Sequence, residues 1–313
     1  MLGIALTVAA LVGLAVPSAA SAQRLAHRVV ERSSDPDQNA TIYLLGSGGQ
    51  LNWYDINGNL LGQRQLSDTN GIAMCGDGHD QLFVVDSPVS SSGDQYIEKF
   101  RTDKKKPSLV LDAGYFGGVV QCAVNPATLD VGVVGNFYSS YQYGFVEIFA
   151  NGQTKPYYER GTIRPYLLFT LGWGPGGDLW AAGMYYLSPA VSHLNNDFFP
   201  QYLPRNYSQS NQNLTGLQVT RNYDLLVENS TFNRIDIYPR LSLTWPNPSA
   251  QILTVDLPGI GDASGFQLTP SGQRLFTLGG GQVYGFPYPA GTTPFATIDF
   301  NAIGIAIMPK RPK

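Results

Sequence analysis

A small residue, an apolar run, a turn and a second apolar run recur six times along this chain. Gly71-Ile72-Ala73-Met74 leads through Asp77-Gly78 to Leu82-Phe83-Val84-Val85-Asp86. Gln121-Cys122-Ala123-Val124 leads through Asn125-Pro126 to Val131 and on to Asn136, and Thr170-Leu171-Gly172-Trp173 leads through Gly176-Gly177 to Leu179 and Trp180. Gly216-Leu217-Gln218-Val219 and Gly265-Phe266-Gln267-Leu268 open two more units, and Gly304-Ile305-Ala306-Ile307 opens a sixth that the chain leaves unfinished. The starts at 71, 121, 170, 216, 265 and 304 are 50, 49, 46, 49 and 39 residues apart. A period of about 40–50 residues built from short strands is the signature of a β-propeller.

The remaining strands of each unit are legible too. Ile97–Phe100, Val146–Phe149, Ile235–Tyr238 and Val283–Phe286 alternate as third strands, and Ser108–Leu111 and Ala250–Leu253 begin fourth strands. The unfinished last unit is completed from the other end of the chain. Thr41–Leu45, Leu51–Tyr54 and Leu60–Leu66 supply its second, third and fourth strands, with hairpin turns at Gly48-Gly49 and Asn57-Gly58. The expected fold is all-β: a six-bladed propeller of four-stranded blades, the last closed by strands from both termini. With 35 Gly, 21 Pro and only 14% charged residues, the composition suits many short strands and tight turns, not a helical bundle or a disordered chain. The segment 184–214, rich in Asn, Gln, Ser and Pro, reads as a long loop.

These units resemble bacterial, exported six-bladed propellers of the NHL-repeat and gluconolactonase-like group. Val146-Glu147-Ile148-Phe149-Ala150-Asn151-Gly152 and the run from Val283 to Gly291 are similar to that group's strand-turn motif, and Cys122-Ala123-Val124-Asn125-Pro126 to its C-A-V-D-P step. The similarity covers most of residues 40–309. It implies the fold more than an activity, because these motifs mark architecture.

Leu2 to Val16 is apolar and leads to Ala20-Ser21-Ala22, a small-x-small site of the kind cleaved in export signals. Residues 1–22 are therefore expected to be a signal peptide. An uncleaved anchor is the rival reading, but the run is short for a span of about 20 residues. Residues 23–39 carry Arg24, Arg28 and Arg32 with Glu31, Asp35 and Asp37, and read as a flexible leader. Residues 40–313 form the single propeller. The mature protein is expected to be secreted or periplasmic, without stable membrane insertion.

Function is less legible. A formal charge of -3 argues against a nucleic-acid partner. His27, His79 and His193 fall in the leader, a hairpin turn and the long loop, have no metal-ligand spacing, and read as solvated. Gly261-Asp262-Ala263-Ser264-Gly265 has its serine one place late for a nucleophile elbow. Asp55-Ile56-Asn57-Gly58-Asn59 reads as a turn, since the bidentate Glu of a calcium loop is missing. Lys104-Lys105-Lys106 reads as a solvated turn tip.

One constellation remains. Fourth-to-first and second-to-third connections emerge on the same face of a propeller, and there Asn70, Asp262, Ser264 and Asn301 face Asp86, Asn136, Glu228 and Asn229. Tyr138, Tyr141 and Tyr143 fall in one connection and Tyr185 and Tyr186 in the next, offering an apolar face with a polar tip. The candidate binding residues are Asn70, Asp86, Asn136, Tyr138, Tyr185, Asn229 and Asp262, for a protein or glycan ligand, with no catalytic residue and no cofactor. The alternative, implied by the gluconolactonase-like resemblance, is a metal-dependent lactonase-like hydrolase or lyase. Asn70, Asn136 and Asp262 would then hold a divalent cation such as calcium. The Glu that precedes the first strand in those enzymes has no counterpart beside Asn70-Gly71.

Cys75 and Cys122 lie in neighbouring first strands, four places and one place after the starts at 71 and 121. A three-residue offset is about 10 Å along a strand, beyond the roughly 7 Å between Cα atoms that a disulfide tolerates. The two are therefore expected to stay unbridged unless the register slips.

Overall fold

The computed structural model describes residues 35, 37–67, 69–86, 95–113, 118–137, 143–163, 166–185, 188–193, 201–202, 214–239, 253–289 and 291–309. Blade 1 contains β1 (Ala40–Gly46), β2 (Gln50–Asp55) and β3 (Leu60–Gln65), and blade 2 contains β4 (Gly71–Gly76), β5 (Gln81–Asp86), β6 (Tyr96–Arg101) and β7 (Leu109–Asp112). Blade 3 contains β8 (Gly118–Val124), β9 (Val131–Asn136), β10 (Gly144–Phe149) and β11 (Tyr158–Ile163). Blade 4 contains β12 (Tyr166–Trp173), β13 (Leu179–Tyr185), β14 (Ser188–His193) and β15 (Gln201–Tyr202). Blade 5 contains β16 (Leu214–Val219), β17 (Leu225–Asn229), β18 (Arg234–Tyr238) and β19 (Leu253–Asp256). Blade 6 contains β20 (Phe266–Leu268), β21 (Arg274–Gly279), β22 (Gln282–Pro287) and β23 (Ala296–Ile298), and β24 (Ala302–Pro309) returns to blade 1.

The closure is the expected one. β24 pairs antiparallel with β1, matching Gly304 to Leu45, Ile305 to Leu44 and Ile307 to Ile42. The order β24-β1-β2-β3 makes the sixth four-stranded sheet, so the fold is a six-bladed β-propeller. The buried apolar side chains fall into six clusters, each shared by two neighbouring blades. The core is thus a ring of six seams, and losing one blade exposes two of them.

Every inner strand carries a β-bulge close to its start. The register shifts place the extra residue at Ile72, Val120, Phe169, Thr215 and Ile303. In blade 6, Ser264 donates to the Leu278 carbonyl while Leu278 N–H donates to Gly265 O, so two residues again oppose one. A bulge bends the strand and sharpens its twist, here where the chain enters the axis. Past the bulge the inner strands nearly touch. A Cβ on Gly304 would lie 2.8 Å from the Met74 backbone nitrogen, and one on Gly172 2.9 Å from the Leu217 carbonyl.

Three expectations about the fold need correction, and a fourth, for His193, is taken up with the site. Cys75 and Cys122 are joined by a disulfide with their Cα atoms 5.7 Å apart. β8 begins at Gly118, not at 121, so each cysteine stands four residues after the first residue of its strand. The bulge interrupts the alternation, and the readable apolar run of β8 resumes only after Val120, whereas that of β4 starts before Ile72. The segment 184–214 is no plain loop, since it holds β14 and β15, the outer half of blade 4. Pro189 and a Ser-Pro-Ala-Val-Ser-His composition hid a strand whose residues 189–193 are all buried. Asp37, placed in the leader by sequence, is fully buried. It accepts hydrogen bonds from Thr269 Oγ1 at 2.7 Å and from Ser271 N–H at 3.2 Å. Asp37 is therefore part of the propeller.

Candidate functional site

The face where fourth-to-first and second-to-third connections meet is built from the bulges and the last residues of β5, β9, β13 and β17. A bulge leaves backbone groups of the inner strand off the ladder, and buried backbone groups must find partners. Here long polar side chains supply them. Asn136 Nδ2 donates to Leu168 O at 2.8 Å while its Oδ1 accepts Leu168 N–H at 2.9 Å, one residue ahead of the bulge at Phe169. Gln95, 1% exposed, grips Val119 in the same way one residue ahead of the bulge at Val120, at 3.2 and 2.5 Å. Each carboxamide replaces a peptide partner across a seam.

The other expected residues divide into buried and exposed. Asp86 is buried and its Oδ1 accepts the Asn70 N–H at 2.6 Å. Asn229 is fully buried at the end of β17. Asn70 and Asp262 are exposed, and Asp262 has a left-handed backbone, φ 47°. Tyr185 ends β13. Tyr138, Tyr141 and Tyr186 lie outside the described residues, whereas Tyr143 is half-buried. The structure thus joins Asn70 to Asp86 and commits the Asn136 carboxamide to Leu168. Among the described residues no group of three or more His, Cys, Asp or Glu is arranged to hold a metal ion.

Glu228 was only one of several oxygen-bearing groups in the sequence, and the structure makes it distinctive. It is fully buried between blades 5 and 6. Its carboxyl oxygens face Thr277 Oγ1 at 2.7 Å and Thr215 Oγ1 at 2.9 Å, and Thr215 Oγ1 also lies 3.0 Å from Ala263 O. Thr215 has one hydroxyl proton for two acceptors. A protonated Glu228 resolves the conflict by donating to Thr215, which then donates to Ala263. Burial pushes the Glu228 carboxyl up to about 7, against the lowering effect of those hydroxyls and the Gly265 N–H. Neither burial nor this partnership is visible in sequence.

A cavity of about 290 Å³ runs along the axis, walled by the inner strands of all six blades and by the disulfide. Its polar side chains include Gln121, Gln218, Gln267, Thr170 and Ser264. None of the expected binding residues within the described residues forms part of this wall. Gln218 Oε1 accepts the Leu268 N–H and Gln267 Oε1 the Ile307 N–H, both at 2.9 Å, so each ties its inner strand to the next.

His193 is not a loop histidine. It is buried in β14 and stacks on Trp180 with ring centroids 4.1 Å apart, its Nε2 3.7 Å from Asp178 Oδ1. Burial lowers its pKa, opposed by the Asp178 carboxylate. His79 is exposed in the β4–β5 turn, as expected, and His27 lies outside the described residues.

No family model matches the chain, and no curated protein sequence matches it. Solved structures do match. A chain from a nidogen/laminin complex aligns over 87% of this protein and 100% of its own length, with a TM-score of 0.63 at 12% identity. A protein of unknown function from Bacteroides caccae aligns over 86% and 99%, with a TM-score of 0.59 at 11% identity. A protein from Lactobacillus plantarum aligns over 87% and 99%, with a TM-score of 0.56 at 11% identity. At such identities the likeness is one of fold, and it agrees with the six-bladed ring.

Proposed function

We propose that this protein is an exported, non-catalytic binding module that recognises a protein or glycan with the face carrying Asn70 and Asp262. The observation that carries this reading is how the polar groups on that face are used. Asn136, Gln95 and Glu228 are engaged by the backbone or hydroxyls of the fold, and Asp86 accepts the Asn70 N–H. Exposed Asn70, Asp262 and Ser264 are left to a partner, and among the described residues no nucleophile stands beside a base. The absence beside Asn70-Gly71 of the Glu that gluconolactonase-like enzymes carry supports the same reading, and one similar propeller comes from a protein complex, nidogen with laminin. Export is supported by the Cys75–Cys122 disulfide, a bond that persists in oxidising compartments, and by the apolar run before Ala20-Ser21-Ala22.

The test is direct. Purified protein is expected to show no saturable turnover of glucono-lactone or simple esters, with calcium, with zinc or with chelator. Turnover that needs the ion and is lost in Asp262→Ala, together with a cation-dependent rise in melting temperature, would overturn this reading. It would favour the metal-dependent lactonase-like alternative with Asn70, Asn136 and Asp262 as ligands.

A further inference from the structure

The turn between β6 and β7 differs from its counterparts. Four of the chain's seven lysines, Lys99, Lys104, Lys105 and Lys106, fall within eight residues that also hold Arg101. The equivalent turns of blades 1, 3 and 6 read Ile56-Asn57-Gly58-Asn59, Ala150-Asn151-Gly152-Gln153-Thr154-Lys155 and Tyr288-Pro289-Ala290-Gly291-Thr292-Thr293, with one charge among them. The protein as a whole is acidic, at -3, so this corner opposes the rest of the molecule.

The tip is also held in place from several directions. Lys104 N–H donates to Arg101 O at 2.9 Å, Thr102 N–H to Asp80 O at 2.8 Å, and Ser67 N–H, from the connection after blade 1, to Lys105 O at 3.1 Å. Arg64 of β3 donates through one guanidinium nitrogen to Thr102 O at 2.7 Å and Lys104 O at 2.9 Å, and its guanidinium lies 5.4 Å from the centroid of the Trp53 ring. Lys104, Lys105 and Lys106 are all exposed. A solvated tip has no need of such bracing.

The distribution of charge types narrows the partner. Arginine recognises carboxylates and phosphates through a planar fork, whereas lysine presents a point charge. Here the forks are occupied. Arg64 is turned onto backbone carbonyls, and Arg101 pairs with Asp103 at 3.1 Å and lies 3.8 Å from Asp80. Lys104 is partly neutralised by Asp103 at 3.4 Å. Lys99 is half-buried, with its ammonium 3.4 Å from Asn151 Oδ1 and over the Phe83 ring. What projects are the ammonium groups of Lys104, Lys105 and Lys106, without a fixed geometric demand, the arrangement that a diffuse anionic surface attracts. We propose that the braced 102–108 turn, through Lys104, Lys105 and Lys106, docks this protein onto an anionic phospholipid surface. The contact is peripheral and electrostatic, inserts nothing, and does not depend on the ligand-binding reading of the axial face.

The probe is vesicles containing phosphatidylglycerol, with pure phosphatidylcholine vesicles as the neutral control and soluble polyglutamate as a non-lipid polyanion. The full chain should co-sediment with the anionic vesicles at low salt, not with the neutral ones, and should be released as salt screens the charges. The triple variant Lys104→Gln, Lys105→Gln, Lys106→Gln should partition on the order of a hundredfold more weakly. Its melting temperature should not change, because the three side chains are exposed. Arg64→Gln keeps the lysines but frees the tip, and should weaken partitioning by less than the triple variant. Equal binding to neutral vesicles, wild-type binding by the triple variant, or binding to polyglutamate but not to vesicles would each overturn the proposal.

Discussion

The seam between blades 2 and 3 and the seam between blades 5 and 6 are fastened at one structural position by different chemistry. Cys75, Gln218 and Gln267 each stand two residues before the residue that opens the turn to the second strand. Those residues are Asp77, Thr220 and Thr269, whose N–H groups bond across their turns to Gln81, Asp224 and Arg274. From that position the side chain reaches the next inner strand. Cys75 does so covalently, to Cys122. Gln218 uses a single hydrogen bond to Leu268, and the buried Glu228 backs it with a link to Thr277 across the same seam. The geometry asks only for a bridge of the right length, and the residue chosen decides which condition can loosen it. A disulfide answers to reductant, and a carboxyl network answers to pH.

Removing the covalent tie should produce the largest effect. The bond closes a loop with a sequence separation of 47, for which restriction of the unfolded chain contributes about 4 kcal/mol. Cys75→Ala paired with Cys122→Ala should lower the denaturation free energy by about 2–5 kcal/mol, read from urea titrations. Reductant should reproduce the loss in wild type and leave the double variant unmoved. If reductant has no effect on wild type, the two seams do not differ in the way described.

The seam between blades 5 and 6 should respond to pH instead. The Glu228 carboxyl, ordinarily at 4.5, titrates at about 7 when folded. Its folded pKa is raised, so its contribution is complete below about pH 4.5 and is lost as pH climbs to about 7, a change of about 3 kcal/mol. Glu147, buried in β10, is pushed to about 8 by burial and then by the Glu159 and Asp112 carboxylates, and it adds a loss in the same direction up to pH 8. Glu228→Gln keeps a donor for Thr215 and an acceptor for Thr277. It should match wild type at pH 4.5 and exceed it above pH 7, leaving the slope due to Glu147. A variant whose stability parallels wild type across this range would show that Glu228 does not titrate in the folded seam.

Strand order and closure were readable in the sequence because they rest on periodic apolar runs. Gly304-Ile305-Ala306-Ile307 could be matched to Thr41–Leu45 because the last repeat is unfinished and the strands before the first repeat complete it, and the pairing is as expected. The ties between blades were not readable, because they depend on where a bulge falls. Ile72 and Val120 look like ordinary strand residues, and counting across one bulge but not the other displaced Cys122 by three residues. Asn136 could be singled out as a polar strand end, but its role with Leu168 depends on a backbone irregularity 32 residues away. Gln95 gave no signal, since nothing in its surroundings marks it as buried. Strand β14 was hidden by Pro189 and two serines, and the burial of its residues 189–193 comes from the neighbouring strands and not from an apolar pattern of its own.

The smallest expected effect belongs to Gln218, and it tests whether the shared position matters apart from the bond made there. Its carboxamide lies half-buried at the axial cavity, and only its oxygen is committed to the next blade. In Gln218→Ala the Leu268 N–H loses a protein acceptor, but the removed side chain lines a polar cavity of about 290 Å³ from which water can take its place. The net loss should therefore be that of one ordinary hydrogen bond, about 1 kcal/mol, or roughly 2–4 °C in melting temperature for a domain of this size. Cys75 lies on the opposite side of the ring, so combining Gln218→Ala with the cysteine double variant should give additive losses to within about 0.5 kcal/mol. A combined loss well beyond the sum would mean that the seams share strain around the ring. The position would then act in concert across blades and not one seam at a time.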